Sequence, residues 1–147
     1  MNKPFFPMFV NLNDKRALVV GGGRIAGRRV RTLQMFCDDI TVVAPEISPG
    51  IAGVKLVRRA FVPGDLDGVD IALACTDDAA LNAEIARMCR SRGIPVNAAS
   101  DRALCDFYFP GVAVGGGVTV GITASGEDHA LAKRATLRLR RALEEME

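Results

Sequence analysis

Histidine is nearly absent from this chain: one residue in 147, His129. The four cysteines, Cys37, Cys75, Cys89 and Cys105, form no C-x-x-C pair. A structural zinc site needs about four ligands clustered at short spacing, so no metal centre is expected. Unpaired, buried thiols in a reducing compartment are expected instead. No run of about 18 uninterrupted apolar residues occurs, which argues against a membrane span. The N-terminal "MNKPFFPMFVNLNDK" holds one lysine before a short apolar patch interrupted by prolines. That is not a secretory leader's long apolar core, and a cytoplasmic location is expected. Charge of one sign is also scarce. The net charge is +2 at pH 7, too small for the footprint of a nucleic-acid binder. Repeats, low-complexity tracts and long linkers are missing.

What is present is an apolar half, 49% of residues, with 24% charged. That composition supports a core and argues against disorder. Short apolar runs alternate with helical patterns. "RALVVGGG" is followed by Ala26, Val30, Leu33 and Cys37 at helical spacing over residues 24 to 37. "DITVVAPE", "VKLVRRAF" and "VDIALACTDD" read as further strands. Asp77 or Asp78 is placed to cap a helix over 79–92, whose apolar face is Leu81, Ile85, Met88 and Cys89. "GIPVNAASD" is a fifth strand, ending at Asn97. Strand, helix, strand in repetition means an α/β fold with a parallel sheet and helices on both faces. The runs are near-continuous Val, Ile, Leu and Ala, as strands buried on both sides require. "FFPMFVNL" is a candidate edge strand, since Pro4 and Pro7 suit an edge better than a centre. After Pro110, "GVAVGGGVTVGITASG" reads as a hairpin or a pair of extended strands. A long basic helix follows, with an apolar stripe of Leu131, Ala135, Leu139, Ala142, Leu143 and Met146. It either folds back on the sheet or packs on a second copy of the chain, and the second arrangement is expected. The division that follows is a Rossmann-like domain over 1–110 and a dimerisation arm over 111–147.

Three glycines in succession need a reason, because each costs backbone entropy. Gly21-Gly22-Gly23-Arg24-Ile25-Ala26 fits G-x-G-x-x-G/A, between a strand and a helix. Gly21 allows the tight turn, Gly23 lets a pyrophosphate reach the backbone, and Ala26 lets helix and strand pack closely. The helix N-terminus offers N–H groups and partial positive charge to the phosphates. A dinucleotide is the expected ligand. Glu46, at the end of the second strand after Pro45, stands near the distance of a ribose-binding acid. It reads equally as a solvated loop residue. No arginine is next to it for a 2′-phosphate, so NAD is favoured over NADP. Thr76, Asp77 and Asp78 cap a helix and also flank the crevice. Asn97 is either a turn residue or a partner for nicotinamide or substrate.

The order "FPMFVNL", "ALVVGGGRIAGRRV", "TVVAPE", "ACTDD", "VNAASD", "FYFP", "VTVGITASG" and "ALAKR" resembles the precorrin-2 dehydrogenases, including the N-terminal module of siroheme synthases. The resemblance covers almost the whole chain. It implies oxidation of precorrin-2, a tetrapyrrole with eight carboxylates, to sirohydrochlorin with NAD as hydride acceptor. It also implies a homodimer, and NAD contacts from Arg24, Ile25, Pro45 and Glu46. Members read N-V-V-D where this chain has Asn97-Ala98-Ala99-Ser100. Serine therefore replaces the aspartate favoured as base or metal ligand, and Asp101 is the remaining acid. Members often read S-S/T-G-G-x-S-P where this chain has Thr123-Ala124-Ser125-Gly126-Glu127-Asp128-His129. His129 is either a surface residue on the first turn of the last helix or a proton acceptor or iron ligand at the dimer cleft. The expected catalytic set is thus Asp101, Ser100 and His129. Arg24, Arg28, Arg29, Lys133, Arg134 and Arg138 are candidates to receive substrate carboxylates or form solvated faces. Three other functions stay open: a bifunctional dehydrogenase and ferrochelatase, a non-catalytic NAD-sensing module, or a degenerate paralogue that binds tetrapyrrole or dinucleotide without turnover, which Ser100 keeps open.

Overall fold

The computed structural model describes residues 3–147 and divides into two compact units. The larger spans Asn11–Tyr108; the smaller joins the N-terminal residues up to Val10 with Phe109–Glu147.

The larger unit is a five-stranded, all-parallel sheet flanked by helices. Its strands are β1 (Arg16–Val20), β2 (Asp39–Val43), β3 (Lys55–Val57), β4 (Ile71–Ala74) and β5 (Val96–Ala98), in the spatial order β3-β2-β1-β4-β5. Helix α1 (Arg24–Leu33) follows β1, and α2 (Ala79–Ser91) follows β4. Register puts Val42, Val19, Leu73 and Asn97 in one row across the sheet. Strand side chains alternate between faces, so Leu18, Val20, Val43, Ala72, Ala74, Val96 and Ala98 point the other way. These meet Ile85, Ala86 and Cys89 of α2 and Leu66 in one buried cluster. Burial of such side chains is worth about 1.5–3 kcal/mol each. The strand order reverses between β1 and β4, and a parallel sheet binds ligands at that switch point, beyond the strands' carboxyl ends.

α1 ends at Leu33, four residues short of the expected limit, and Cys37 is buried just beyond it. The crossover from β3 to β4 carries a single 3-10 turn, Pro63–Leu66. Asp65 holds that turn: its carboxylate accepts from the Val62 N–H at 2.9 Å and pairs with Arg59 at 2.7 Å. The outer edge of β5 is covered by residues 105–107. The Asp106 N–H donates to the Val96 carbonyl at 2.8 Å, and its carboxylate accepts from the Val96 N–H at 3.0 Å.

The smaller unit is the expected hairpin and helix: β6 (Gly111–Gly115), β7 (Val118–Ile122) and α3 (His129–Glu144). Gly116 and Gly117 make a two-residue turn with φ of +57° and +78°, the geometry that matches strand twist. Within its own unit the helix packs on the hairpin, a partner that the residue pattern did not indicate. Thr136 and Leu143 are buried, and a Cβ on Gly115 would lie 3.1 Å from Leu143 Cβ. Arg140 Nε donates to the Val112 carbonyl at 3.0 Å. Of the expected stripe, Leu131, Leu139, Ala142 and Met146 remain exposed. The candidate edge strand is corrected. Residues 3–10 form no strand, with Phe6, Met8, Phe9 and Val10 exposed. Pro4 and Pro7 remove two of the N–H donors that a ladder would need.

Candidate dinucleotide site

The first crossover begins in backbone contact. Gly21 has φ of +122°, a region side chains rarely enter, and a Cβ there would stand 2.5 Å from the Cys75 carbonyl oxygen. A Cβ on Gly22 would overlap the Glu46 carbonyl and lie 2.8 Å from Ile47 Cα. The Gly22 carbonyl accepts from the Ser48 N–H at 2.8 Å, tying this turn to the segment after β2. Gly23 differs. A Cβ on it would meet nothing within 4 Å, although the residue opens α1 directly. The three glycines thus have two reasons. Two make room for neighbouring main chain, and the third leaves an open notch over the helix.

Gly23 is the N-cap of α1, and no side chain caps this helix. The other two α-helices are capped by aspartates: Asp78 accepts from the Leu81 N–H at 3.1 Å, and Asp128 from the Leu131 N–H at 2.8 Å. The first turn of α1 holds no acid, and Arg24 and Ile25 stand exposed beside the notch. An uncapped helix N-terminus bordered by an open glycine has the shape and charge for a phosphate group. These residues fit a dinucleotide's pyrophosphate. Pro45 and Glu46 lie exposed after β2, beside Gly22, on the side where an adenosine ribose would rest.

On the other side of the switch point, Asn82 joins the loops after β4 and β5. Its Oδ1 accepts from the Thr76 N–H at 3.1 Å and from the Thr76 hydroxyl at 2.6 Å. Its Nδ2 donates to the Thr76 carbonyl at 3.0 Å and to Ser100 Oγ at 3.2 Å. Asp77 is exposed next to this link. Asp101 is exposed, and its Oδ1 accepts from the Ala103 N–H at 2.9 Å to start the 3-10 turn Arg102–Leu104. His129 is the exposed first residue of α3, in the smaller unit.

Asn97 and Arg29 occupy other places than expected. Asn97 is 3% exposed, and both ends of its amide are engaged within the protein. Its Oδ1 accepts from an Arg29 Nη, and its Nδ2 donates to the Phe107 carbonyl at 2.9 Å. Arg29 reaches from α1 across the sheet edge and also lies 3.8 Å from Cys75 Sγ. It braces α1 against β4 and β5 and is half-buried, unlike the exposed Arg24 and Arg28. Burial raises the Cys75 thiol above its ordinary value, with Arg29 opposing. Cys75 is therefore a neutral packing group. Sequence reasoning missed Asn82. The available signal was its position on the buried face of α2, in register with Ile85, Ala86 and Cys89, as the one polar member.

Among the described residues, no group of three or more His, Cys, Asp or Glu side chains converges to hold a metal ion. No helix among them is long and apolar enough to cross a membrane.

The family described as "Putative NAD(P)-binding" matches residues 8–111, the span that contains the glycine turn and all five strands. The chain belongs to this NAD(P)-binding family. Its relatives include the siroheme synthases of Azotobacter vinelandii, 36% identical over 141 residues, and Pseudomonas paraeruginosa, 37% over 135. Those alignments cover 92% and 88% of this chain but 30% and 29% of the relatives. The chain therefore spans less than a third of their length. Among solved structures, SirC, precorrin-2 dehydrogenase, superposes with a TM-score of 0.74 at 27% identity, covering 94% of this chain and 71% of that one. The five-stranded Rossmann-like sheet with the hairpin and last helix is thus the fold of this NAD(P)-binding protein and of SirC alike.

Proposed function

We propose that this chain is a cytoplasmic NAD-dependent oxidoreductase that converts precorrin-2 to sirohydrochlorin on the route to siroheme. The reaction removes two hydrogens: precorrin-2 and NAD⁺ give sirohydrochlorin, NADH and a proton. The observation that carries the reading is the open notch at Gly23 over an uncapped α1. It occurs in a fold that nearly the whole chain shares with a precorrin-2 dehydrogenase. Bound there, NAD supplies the hydride acceptor.

The chain's own residues hold and orient. Gly21 to Ile25 receive the pyrophosphate, Pro45 and Glu46 border the ribose, and Thr76 and Asp77 border the nicotinamide half. Asp101, exposed on the loop after β5, accepts the proton that leaves the tetrapyrrole carbon. Its Oδ1 holds the Ala103 N–H, which fixes the carboxylate's direction. Arg24 and Arg28, exposed on α1, receive substrate carboxylates as charge-assisted pairs. Arg29 braces the sheet edge behind them. His129 has no assigned step.

Residues 111–147 serve as the arm of a homodimer. The exposed Leu131, Leu137, Leu139 and Met146 of the smaller unit supply its apolar surface. Four unpaired cysteines suit a reducing compartment.

The test is direct. The purified chain is mixed with precorrin-2 and NAD, and absorbance is followed for NADH and sirohydrochlorin together. Equal amounts of both are expected. NAD binding without turnover overturns the dehydrogenase in favour of a sensing module. Light scattering checks the dimer, and a monomer at assay concentration removes that part.

A further inference from the structure

Asn82 is wholly buried on α2, yet neither capping nor packing explains it. Asp78 already caps the helix, and a leucine would fill a similar volume. What distinguishes Asn82 is that its amide is saturated. An amide offers two N–H donors and a carbonyl with two acceptor sites, and all four are engaged: three with Thr76 and one with Ser100. Rotating the amide by half a turn would set its NH₂ against the Thr76 N–H and its oxygen against the Thr76 carbonyl. Its orientation is therefore fixed.

Two consequences follow from that fixed amide. Thr76 is held against the glycine turn, since a Cβ on Gly21 would lie 3.1 Å from the Thr76 nitrogen. Ser100, on the next loop, receives a hydrogen bond from Asn82 Nδ2 and is exposed. A hydroxyl that accepts from an amide N–H must direct its own proton elsewhere. At Ser100 that proton is available to an anionic oxygen.

We propose that Asn82 is a positioning residue: it locks the loops after β4 and β5 into one unit and presents Ser100 as a hydrogen-bond donor to a substrate carboxylate. This rests on the dehydrogenase reading above for the identity of the substrate. It makes Ser100 a binding group and leaves proton removal to Asp101.

The test uses the full chain, calorimetric titration with NAD, and steady-state oxidation of precorrin-2. Ser100→Ala sits on an exposed loop and keeps the fold. It is expected to raise KM for precorrin-2 about fivefold, the worth of one hydrogen bond, with the Kd for NAD within about twofold. Asn82→Asp keeps the shape and the acceptor toward Thr76. Its new oxygen would draw the Ser100 proton inward, so KM should rise by the same factor. The double variant should be no worse than either single one. A KM unchanged in Ser100→Ala, or factors that multiply in the double variant, overturns the proposal. A purely structural Asn82 would lower the active fraction, and so kcat, with KM constant; that result also overturns it.

If Asn82→Asp does not fold, Thr76→Val carries the test. Loss of its hydroxyl loosens Asn82, and both the Kd for NAD and the KM for precorrin-2 should rise at least about twofold. An unchanged KM overturns the coupling. If the wild-type chain binds NAD but leaves precorrin-2 unoxidised, the dehydrogenase reading fails separately. NAD binding then decides the locking alone: Thr76→Val and Asn82→Leu must each raise Kd at least about twofold, and an unchanged Kd overturns it.

Discussion

Gly23→Asp should make this protein more stable and a much weaker binder of NAD. The site is unusual in permitting the substitution. Gly23 has φ −92° and ψ −156°, which any residue adopts, and a Cβ there would meet nothing within 4 Å. It is also the N-cap of a helix with no capping side chain and no acid in its first turn. Aspartate at an N-cap gains a few tenths of a kcal/mol over glycine. The helix dipole adds about 0.5 kcal/mol, and the stiffer unfolded chain about 0.4–1 kcal/mol. The sum is about 1.5 kcal/mol, which raises Tm by about 6 °C for a unit of this size. The same carboxylate occupies the phosphate notch. Two unit charges about 4 Å apart repel by about 4 kcal/mol at an effective dielectric of 20. Gly23 is exposed, and screening takes this to about 2 kcal/mol, so NAD affinity should fall at least about thirtyfold. Differential scanning calorimetry and NAD titration on one sample read both effects. A higher Tm with unchanged NAD affinity refutes the placement of the pyrophosphate. A Tm lowered by several degrees refutes the open notch.

The neighbouring glycine should behave oppositely: Gly22→Ala drives a methyl into the Glu46 carbonyl. It is expected to cost about 3 kcal/mol or prevent folding, seen as a Tm loss that Gly23→Ala does not share. Asn97→Ala deprives Arg29 and the Phe107 carbonyl of their shared partner. It should cost about 2 kcal/mol in urea unfolding, and no loss there would mean that Arg29 is anchored elsewhere. Asp101→Asn should slow precorrin-2 oxidation at least about tenfold with NAD affinity unchanged, and a rate near wild type removes Asp101 as the base. Burial pushes the Cys89 thiol up to about 11, with Asp106 adding to the shift. The unfolded thiol ionises near about 8.5. The contribution of Cys89 to stability is therefore complete below that pH and is lost as pH rises to about 11. Urea midpoints should decline over that window, and Cys89→Ala should flatten the decline.

Much of the layout was legible in the residues themselves. Parallel strands buried on both faces need continuous Val, Ile, Leu and Ala, and five such runs were visible between helix patterns. A cap at Asp77 or Asp78 and a turn among the three glycines after Val114 follow from local geometry alone, since a short carboxylate reaches the first-turn N–H groups and φ above zero favours glycine. The N-terminal segment misled because alternating apolar residues look like a strand, whereas its prolines lack the donors that a ladder uses. The terminal helix misled for another reason. A stripe reveals that a face is apolar, and only folding reveals that Gly111 and Gly115 let it settle on the hairpin.

Sequence by itself determined the α/β alternation, the strand-to-helix position of the glycine turn and the family resemblance, because each depends on neighbours within a few residues. Tertiary structure decided which glycine is open and which are filled by neighbouring backbone. It linked Arg29 to Asn97 as a brace, and it joined Thr76 to Ser100 through Asn82. Those outcomes depend on groups up to 68 positions apart, as Arg29 and Asn97 are, meeting at one sheet edge. Burial and hydrogen-bond partners arise only when the strands align.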